Sequence, residues 1–203
     1  MRDCCKFDGL ADALPIGEGM IKIIRGKDLE VGHWSGGTTR QIAIHPMHAI
    51  YSERNFDWRI STATVEVEHS TFSKLEGYTR FITTLDGSML LQHKDHHNKK
   101  LEPFEIDRFD GGWETESFGC VTDFNLMVKH GIQAEMLSLD CSEGDTIESK
   151  KGINAFYFLS NGKIMIDKLY NVEKYDLLIT DDINQIELID YRTFKLLYAY
   201  IKI

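Results

Sequence analysis

The sequence lacks the features that direct a protein out of the cell or into a membrane. No apolar run reaches the roughly 18 residues that a membrane span requires, and no continuous apolar segment near the N-terminus resembles a secretory signal. Cysteine is scarce, and no C-x-x-C spacing joins the four that are present: Cys4, Cys5, Cys120 and Cys141. We therefore expect reduced thiols in a cytoplasmic protein, with neither a disulfide framework nor a zinc ribbon.

Positive charge is also in the minority. Lysine and arginine number 23 against 32 aspartates and glutamates, which leaves a net charge of −9. Because phosphate contacts need clustered lysines and arginines, and the densest cluster is Lys99 and Lys100 beside Lys94, no nucleic-acid partner is expected. The hydrophobic content of 42% is enough for a packed core, so a disordered chain is excluded as well.

Proline occurs only three times and helical periodicity is weak, so the chain is predicted to be all-β. Glycine follows aspartate or asparagine at hairpin signals such as Asp86-Gly87 and Asn161-Gly162. At most one short helix or turn is expected, near Glu53–Phe56 or Ser70–Leu75. Ten strands are predicted between the turns: Met20–Ile24, Thr39–His45, Trp58–Val65, Arg80–Leu85, Ser88–His93, Asn125–Lys129, Ala134–Leu139, Ala155–Leu159, Lys163–Asp167 and Leu196–Ile201.

The sequence contains an internal repeat. The segment from Gly77 to Leu91 lies over that from Gly152 to Ile166 without a gap, and the offset from Gly77 to Gly152 is 75 residues. Strands joined by a glycine bend and an Asn-Gly-type hairpin are typical of a small jelly-roll barrel. We therefore predict a double-stranded β-helix, or jelly-roll, bicupin with two cupin barrels in one chain. Residues 20–119 form the first barrel and residues 120–203 the second, after a poorly structured extension, residues 1–19.

The histidine pattern disfavours a metal centre. Metal-dependent cupins usually offer a His-x-His pair, and this sequence has none. His45 and His48 fall in a loop, whereas His93, His96 and His97 are predicted at a solvated hairpin tip. Neither a metal nor another cofactor is expected.

Three segments place polar side chains on one face of a predicted strand. An arginine on an inward face needs a carboxylate partner or an anionic ligand, because an unpaired buried charge is costly. Two interpretations stay open, an internal Arg59–Asp123 pair and a ligand pocket in the first barrel. The second copy has Ala134 and Met136 at the positions of Arg59 and Ser61, which favours the first barrel. The polar residues are Thr39 and Gln41, Arg59 and Ser61, and Asp123 and Asn125, and Trp34 precedes the first pair.

The same three segments resemble the HutD/Ves family. The family pattern of a tryptophan with paired glycines and threonines looks like Trp34–Ala43, its "DWRIS-A-V" looks like Asp57–Val65, and its "DFN-M" looks like Asp123–Met127. Gly77–Arg80 and Phe109–Gly111 also match. The resemblance implies a metal-free bicupin that binds a small acid, linked in one branch to histidine utilisation and in the other to environmental stress. It also implies a pocket made of Trp34, Arg59, Arg80, Asp123 and Asn125, with Gln41 where the family commonly has glutamate.

The leading hypothesis is a non-enzymatic protein that binds a small carboxylate such as formate, formylglutamate or a urocanate-like acid. A bidentate arginine contact orients a carboxylate as well as holding it. Two alternatives remain: a cupin enzyme acting on a small organic acid with Asp123 as general base, and a structural or interaction module, such as a homodimer formed through sheet edges. In the leading hypothesis the carboxylate is held by Arg59 with Arg80, the pocket is walled by Trp34, and hydrogen bonds come from Asn125 and Ser61.

Overall fold

The computed structural model of the chain describes residues 20–181, 183, 185–189 and 194–202. The predicted extension, residues 1–19, lies outside the described residues. The described residues form strands joined by turns and two short 3-10 helices, Gly26–Asp28 and Tyr51–Glu53, so the all-β prediction is confirmed. No helix in this part of the chain is long and apolar enough to cross a membrane.

Each of the ten predicted strands overlaps a strand of the structure, and the structure adds others between them. The first predicted helical segment, Glu53–Phe56, overlaps the 3-10 helix Tyr51–Glu53 at one residue, and the second, Ser70–Leu75, overlaps the end of the strand His69–Thr71. The strands are β1 (Ile21–Ile24), β2 (Gly32–Trp34), β3 (Gly37–His45), β4 (Trp58–Val65), β5 (His69–Thr71), β6 (Tyr78–Asp86), β7 (Met89–His93), β8 (Asn98–Leu101), β9 (Ile106–Asp110), β10 (Thr115–Phe118), β11 (Val121–Lys129), β12 (Gln133–Cys141), β13 (Thr146–Glu148), β14 (Ile153–Phe158), β15 (Gly162–Met165), β16 (Leu169–Val172), β17 (Leu177–Thr180), β18 (Gln185–Ile189) and β19 (Phe194–Lys202).

The strands pair into two equivalent sets of sheets. The first half consists of a six-stranded sheet, β2-β3-β4-β11-β6-β9, and a four-stranded sheet, β5-β10-β7-β8. The second half consists of a five-stranded sheet, β1-β17-β14-β19-β12, and a four-stranded sheet, β13-β18-β15-β16. The pairing order β4-β11-β6-β9 recurs as β12-β19-β14-β17, so the two halves share one topology. Among the described residues the sheets are open, and no closed barrel is formed.

The two large sheets pack against each other through their apolar faces. Trp58 and Ile60 of β4 and Tyr157 of β14 lie in this shared core. The opposite face of each large sheet packs on the small sheet of its own half, with Ile82 in the inner core of the first half and Phe156 in that of the second. Because side chains alternate along a strand, every central strand contributes to both a shared and an inner core.

The predicted offset of 75 residues holds for only part of the repeat. Met89 and Ile164, which it matches, both lie in the inner cores of their halves. Phe81 and Phe156, which it also matches, lie in different cores, and Ala155 occupies the shared core with Phe81 instead. A shift of one residue turns a side chain to the other face of its sheet. The offset therefore changes between these two positions, and the ungapped alignment is wrong.

The expected match of Ala134 and Met136 to Arg59 and Ser61 is wrong for the same reason. Met136 packs in the core shared by the large sheets, and Ala134 packs against that core. The interior of the second half is nevertheless mainly apolar and aromatic, on the evidence of a different set of buried residues: Phe156, Phe158, Ile164, Val172, Leu178, Ile186, Leu188, Leu196 and Tyr198.

Two strands pair with the half that lies on the other side of the predicted boundary between residues 119 and 120. Strand β11 follows that boundary but pairs with β4 and β6 of the first half, whereas β1 precedes it but pairs with β17 of the second half. Next to β1, Arg25 Nη1 lies 2.5 Å from Asp176 Oδ2, and the backbone N–H of Gly26 donates to Asp176 Oδ1 at 3.0 Å. A Cβ at Gly26 would lie 2.4 Å from the carbonyl oxygen of Tyr175, so only glycine fits there. Strand pairing therefore places the boundary between the two halves between β11 and β12.

Candidate ligand-binding site

The inner face of the six-stranded sheet collects polar side chains from neighbouring strands. The register of β4, β11 and β6 places Arg59 opposite Met127 and Met127 opposite Arg80. One step along, Ser61 lies opposite both Asn125 and Gln41. Residues two apart along a strand share a face. The structure therefore brings together six of the candidate residues: Gln41, Arg59, Ser61, Arg80, Asp123 and Asn125.

The guanidinium of Arg59 is buried and is held by neutral groups. Its Nε donates to Gln41 Oε1 at 2.9 Å, and its Nη1 donates to Ser61 Oγ at 2.7 Å. Its Cζ lies 4.4 Å from the centroid of the Tyr51 ring, a cation–π contact. Burial lowers the pKa of Arg59 to about 10, so the side chain stays charged at neutral pH.

The second arginine reaches a carboxylate only through an amide. Arg80 Nη2 donates to Asn125 Oδ1 at 2.9 Å, and Asn125 Nδ2 donates to Asp123 Oδ1 at 2.5 Å. Two aromatic rings lie close to the Arg80 guanidinium. Its Cζ is 4.5 Å from the centroid of Phe72 and 5.4 Å from that of Phe109. Burial lowers the pKa of Arg80. The amide of Asn125 thus orients both neighbours without neutralising either.

Asp123 is almost completely buried, and its ionisation is disfavoured. Burial raises the pKa of its carboxyl to about 7. The charges of Arg80 and Arg59 and the hydrogen bonds from Asn125 and from the backbone of Ala63 oppose this rise without cancelling it. The carboxyl is therefore about half protonated near neutral pH.

Neither arginine forms an ion pair with a carboxylate among the described residues. The alternative of a direct Arg59–Asp123 pair is therefore wrong. In addition, Arg80 Nε and Thr84 Oγ1 are buried without a hydrogen-bond partner in this part of the chain. More than about 90% of buried polar groups in proteins are paired. Thr84 lies opposite Asp123 on the same face, so this face has hydrogen-bonding groups that are not used by the protein itself.

Two predicted site residues lie away from this cluster. Trp34 is exposed on the β2–β3 hairpin, where its Nε1 donates to the carbonyl oxygen of Thr38 at 3.4 Å and its ring covers Gly36. The hydroxyl of Thr39 donates to the carbonyl oxygen of Thr62 at 2.9 Å, so it satisfies the backbone of the next strand. No described contact joins either residue to Arg59.

The sequence analysis missed the aromatic walls of the site. Tyr51, Phe72 and Phe109 supply the rings that lie over the two guanidinium groups. Phe109 belongs to a segment that matched the family pattern, but no sequence signal indicates that a given ring packs on a given arginine. Tyr51 lies in the connection between β3 and β4, and the alternation of side chains along a strand predicts nothing about residues in a connection.

Two open clefts of the described surface lie away from the arginine pair. One runs along β6, β9 and the start of β12, and includes Phe81, Arg108 and His130. The other lies at the β7–β8 hairpin and includes His93 and His97. Neither of these clefts is lined by Arg59 or Arg80.

Solved structures define the class of fold. A conserved protein of unknown function from Pseudomonas aeruginosa PAO1 is similar with a TM-score of 0.79, at 20% identity, over 91% of this chain and 100% of that one. HutD from Pseudomonas fluorescens SBW25, in a structure described as a formate condition, is similar with a TM-score of 0.70, at 21% identity, over 90% and 100%. A cupin 2 conserved barrel domain protein from Leptotrichia buccalis has a TM-score of 0.58, at 14% identity, over 89% and 96%. The chain is therefore an all-β protein with a fold of the cupin type.

The sequence narrows this class to a family. Residues 26–194 match the HutD family over most of the chain. The chain belongs to the HutD family, and the resemblance inferred from its motifs is confirmed.

Proposed function

We propose that the chain is a bicupin whose first half binds a small carboxylate-containing metabolite at Arg59 and Arg80. The observation that carries this proposal is the pair of buried guanidinium groups, neither of which has a carboxylate partner among the described residues. An unpaired buried charge is costly, and an anionic ligand removes that cost. A carboxylate also matches the planar donors of arginine in geometry.

The charge balance of the cluster favours an anion at any pH near neutrality. Two arginines face one carboxyl, so the cluster carries a net charge of about +1 when Asp123 is ionised and about +2 when it is protonated. One bound carboxylate brings the first state to neutrality. Arg80 Nε and Thr84 Oγ1 are unused donors to the same ligand.

Gln41 keeps the site available for a ligand. Its Oε1 accepts from Arg59 Nε at 2.9 Å, the position at which a glutamate would form an ion pair. The neutral amide fixes the orientation of Arg59 but leaves its charge uncompensated. The substitution of Gln for the glutamate common in the family therefore makes Arg59 a stronger anion receptor in this chain.

The candidate ligands are small acids related to histidine utilisation. Membership of the HutD family supports that setting, and the formate condition of the P. fluorescens structure makes formate the first acid to test. Formylglutamate and a urocanate-like acid follow, because each offers a carboxylate on a small body. In this proposal the protein moderates a pathway by sensing one of its acids and carries out no reaction itself.

We expect wild-type protein to be stabilised by one of these acids and Gln41→Glu to bind it about tenfold or more weakly. The introduced carboxylate pairs with Arg59 and competes with the ligand, and a hydrogen bond to a charged group contributes about 1.5–3 kcal/mol. At about ten times the dissociation constant, the ligand should raise the melting temperature by roughly 3–6 °C. Thermal denaturation and calorimetric titration with each acid measure both effects.

Two further variants complete this test. Arg59→Ala should abolish the stabilisation, whereas Arg40→Ala, an exposed arginine on the neighbouring strand, should leave it unchanged. If none of the acids shifts the melting temperature of the wild type, or if Gln41→Glu binds as tightly as the wild type, the carboxylate proposal is wrong.

The raised pKa of Asp123 favours a second candidate function, an enzyme acting on a small organic acid. A pKa of about 7 suits a general base at neutral pH. In this alternative the arginines hold the substrate and Asp123 removes a proton from it. Incubation of each acid with the protein, followed by NMR, distinguishes the two: turnover that Asp123→Asn abolishes while binding persists identifies the enzyme.

A further inference from the structure

A second polar cluster of the first half brings three metal-ligating side chains together. His93 ends β7, His97 follows in the β7–β8 hairpin, and Asp107 lies on β9. His93 Nε2 is 2.9 Å from Asp107 Oδ2, and His97 Nε2 is 3.3 Å from each carboxylate oxygen of Asp107. One ligand atom from each residue lies within 4.8 Å of the others. The prediction of a solvated hairpin tip is wrong for His93, which is buried.

The outer hydrogen bond of His93 fixes how its ring faces Asp107. His93 Nδ1 lies 2.8 Å from Thr115 Oγ1, and that hydroxyl donates to the carbonyl oxygen of Trp113 at 3.5 Å. The Thr115 hydroxyl can donate to Nδ1 of His93 or accept from it, and when it donates, the Nε2–H of His93 donates to Asp107 Oδ2. A metal ion on Nε2 would place the ring proton on Nδ1, where Thr115 Oγ1 can accept it while its own proton points to the carbonyl oxygen of Trp113.

The same arrangement is typical of a histidine that ligates a metal. Such a ring donates its remote N–H to a fixed acceptor, which orients it and raises its basicity. His97 is on the exposed side of the cluster, with 41% of its side chain accessible, and lines an open cleft. The cluster therefore has a rigid buried ligand, a carboxylate and an accessible ligand at an entry path.

We propose that His93 Nε2, His97 Nε2 and the carboxylate of Asp107 bind a divalent transition-metal ion of the zinc type. Two imidazoles and one carboxylate select such ions over magnesium and calcium, which prefer all-oxygen sites. Three protein ligands leave a fourth position, here facing the cleft, for water or a small ligand. Metal–ligand bonds of about 2.0–2.2 Å require only that the three side chains separate slightly from their present contacts.

The proposed metal site is separate from the arginine pair but adjoins it. The centroid of the Phe109 ring lies 4.4 Å from that of the His93 ring, and the Arg80 Cζ lies 5.4 Å from the same Phe109 ring. The metal proposal uses no residue of the carboxylate site. Either can therefore fail while the other holds.

The full-length protein, freed of metal with a chelator, tests the proposal by calorimetric titration with Zn²⁺ and by visible absorption with Co²⁺. We expect one ion per chain and cobalt bands of a four-coordinate site. His97→Ala should weaken binding at least about tenfold, since even the loss of an outer-shell partner costs 10–100-fold. His97 is exposed, so this variant keeps the fold, which circular dichroism verifies.

His96→Ala is the matched control. His96 neighbours His97 in sequence, but its ring stacks on Trp113 with centroids 3.7 Å apart and is not part of the ligand set. Its loss should leave the affinity for Zn²⁺ unchanged. Asp107→Asn should weaken binding as His97→Ala does. The proposal is overturned if the wild type takes up no ion, or if binding is the same in wild type, His97→Ala and Asp107→Asn.

Discussion

Replacement of Asp123 by asparagine is expected to stabilise the ligand-free protein above about pH 7 by several kcal/mol and to change it little near pH 4. Burial raises the pKa of this carboxyl to about 7 in the folded protein, while its unfolded value is about 3.9. The folded state therefore binds the proton more tightly. The stability that this proton contributes is complete below about pH 4 and is lost as the pH rises through about 7.

The size of the effect follows from the difference between the two pKa values. About three pKa units at about 1.4 kcal/mol each give roughly 4 kcal/mol. Asparagine has the same shape and cannot ionise, so Asp123→Asn avoids this cost at high pH. Urea unfolding of both proteins at several pH values from about 4 to about 8.5 measures the difference in unfolding free energy, which should grow with pH.

A surface aspartate provides the control for this titration. Asp28→Asn makes the same substitution on the exposed 3-10 helix Gly26–Asp28 and should change the unfolding free energy by less than about 0.5 kcal/mol. Parallel pH profiles for wild type and Asp123→Asn would contradict the expected burial cost. If the carboxylate proposal also holds, the affinity for formate should fall as the pH rises through about 7 in the wild type, and should not fall in Asp123→Asn.

The second large effect is expected from Leu126→Ala. Leu126 lies on β11 in the middle of the core shared by the two large sheets and is fully buried. Removal of a buried leucine side chain costs about 2–5 kcal/mol, the higher values arising where the cavity cannot collapse. A core between two sheets is rigid on both sides, so we expect the upper part of that range.

The same substitution at an exposed leucine serves as the matched control. Leu137 of β12 is 44% exposed, and Leu137→Ala should change the unfolding free energy by less than about 0.5 kcal/mol. The three tryptophans, Trp34, Trp58 and Trp113, all lie in the first half, so their fluorescence reports on that half and far-UV circular dichroism reports on both. Because the halves share a core, the two signals should change together. Separate transitions, or equal costs for the two leucine variants, would show that the core is not shared.

The strand pattern and the polar face could be predicted because local sequence determines them. Alternation along β4 separates Arg59 and Ser61 from Trp58 and Ile60 without reference to the rest of the chain, and Gly87 fixes its hairpin by adopting a φ of +77°. Strands such as β8, which reads Asn-Lys-Lys-Leu, were missed because a single inward residue, Leu101, produces no alternation.

The contacts between distant segments could not be predicted. Asn125 between Arg80 and Asp123 depends on the register of β11 with β6, which includes an irregularity at Thr122 and Asp123. The inward position of His93 had a signal, since it shares the phase of Met89 and Leu91 in a predicted strand. The polar residues that follow it in the hairpin outweighed that phase, although composition near a turn says little about the last residue of a strand.

The pairing of β1 with β17 has a consequence for the history of the two copies. Each half lacks independence, because the strand that precedes the first copy completes the sheet of the second, and Arg25 and Gly26 fasten it there through Asp176. A copy excised by recombination at the β11–β12 connection would leave behind an uncovered β17 edge, and uncovered edges promote aggregation. Loss of one copy is therefore expected to leave an aggregation-prone protein, whereas the two copies can differ in sequence, as their interiors do.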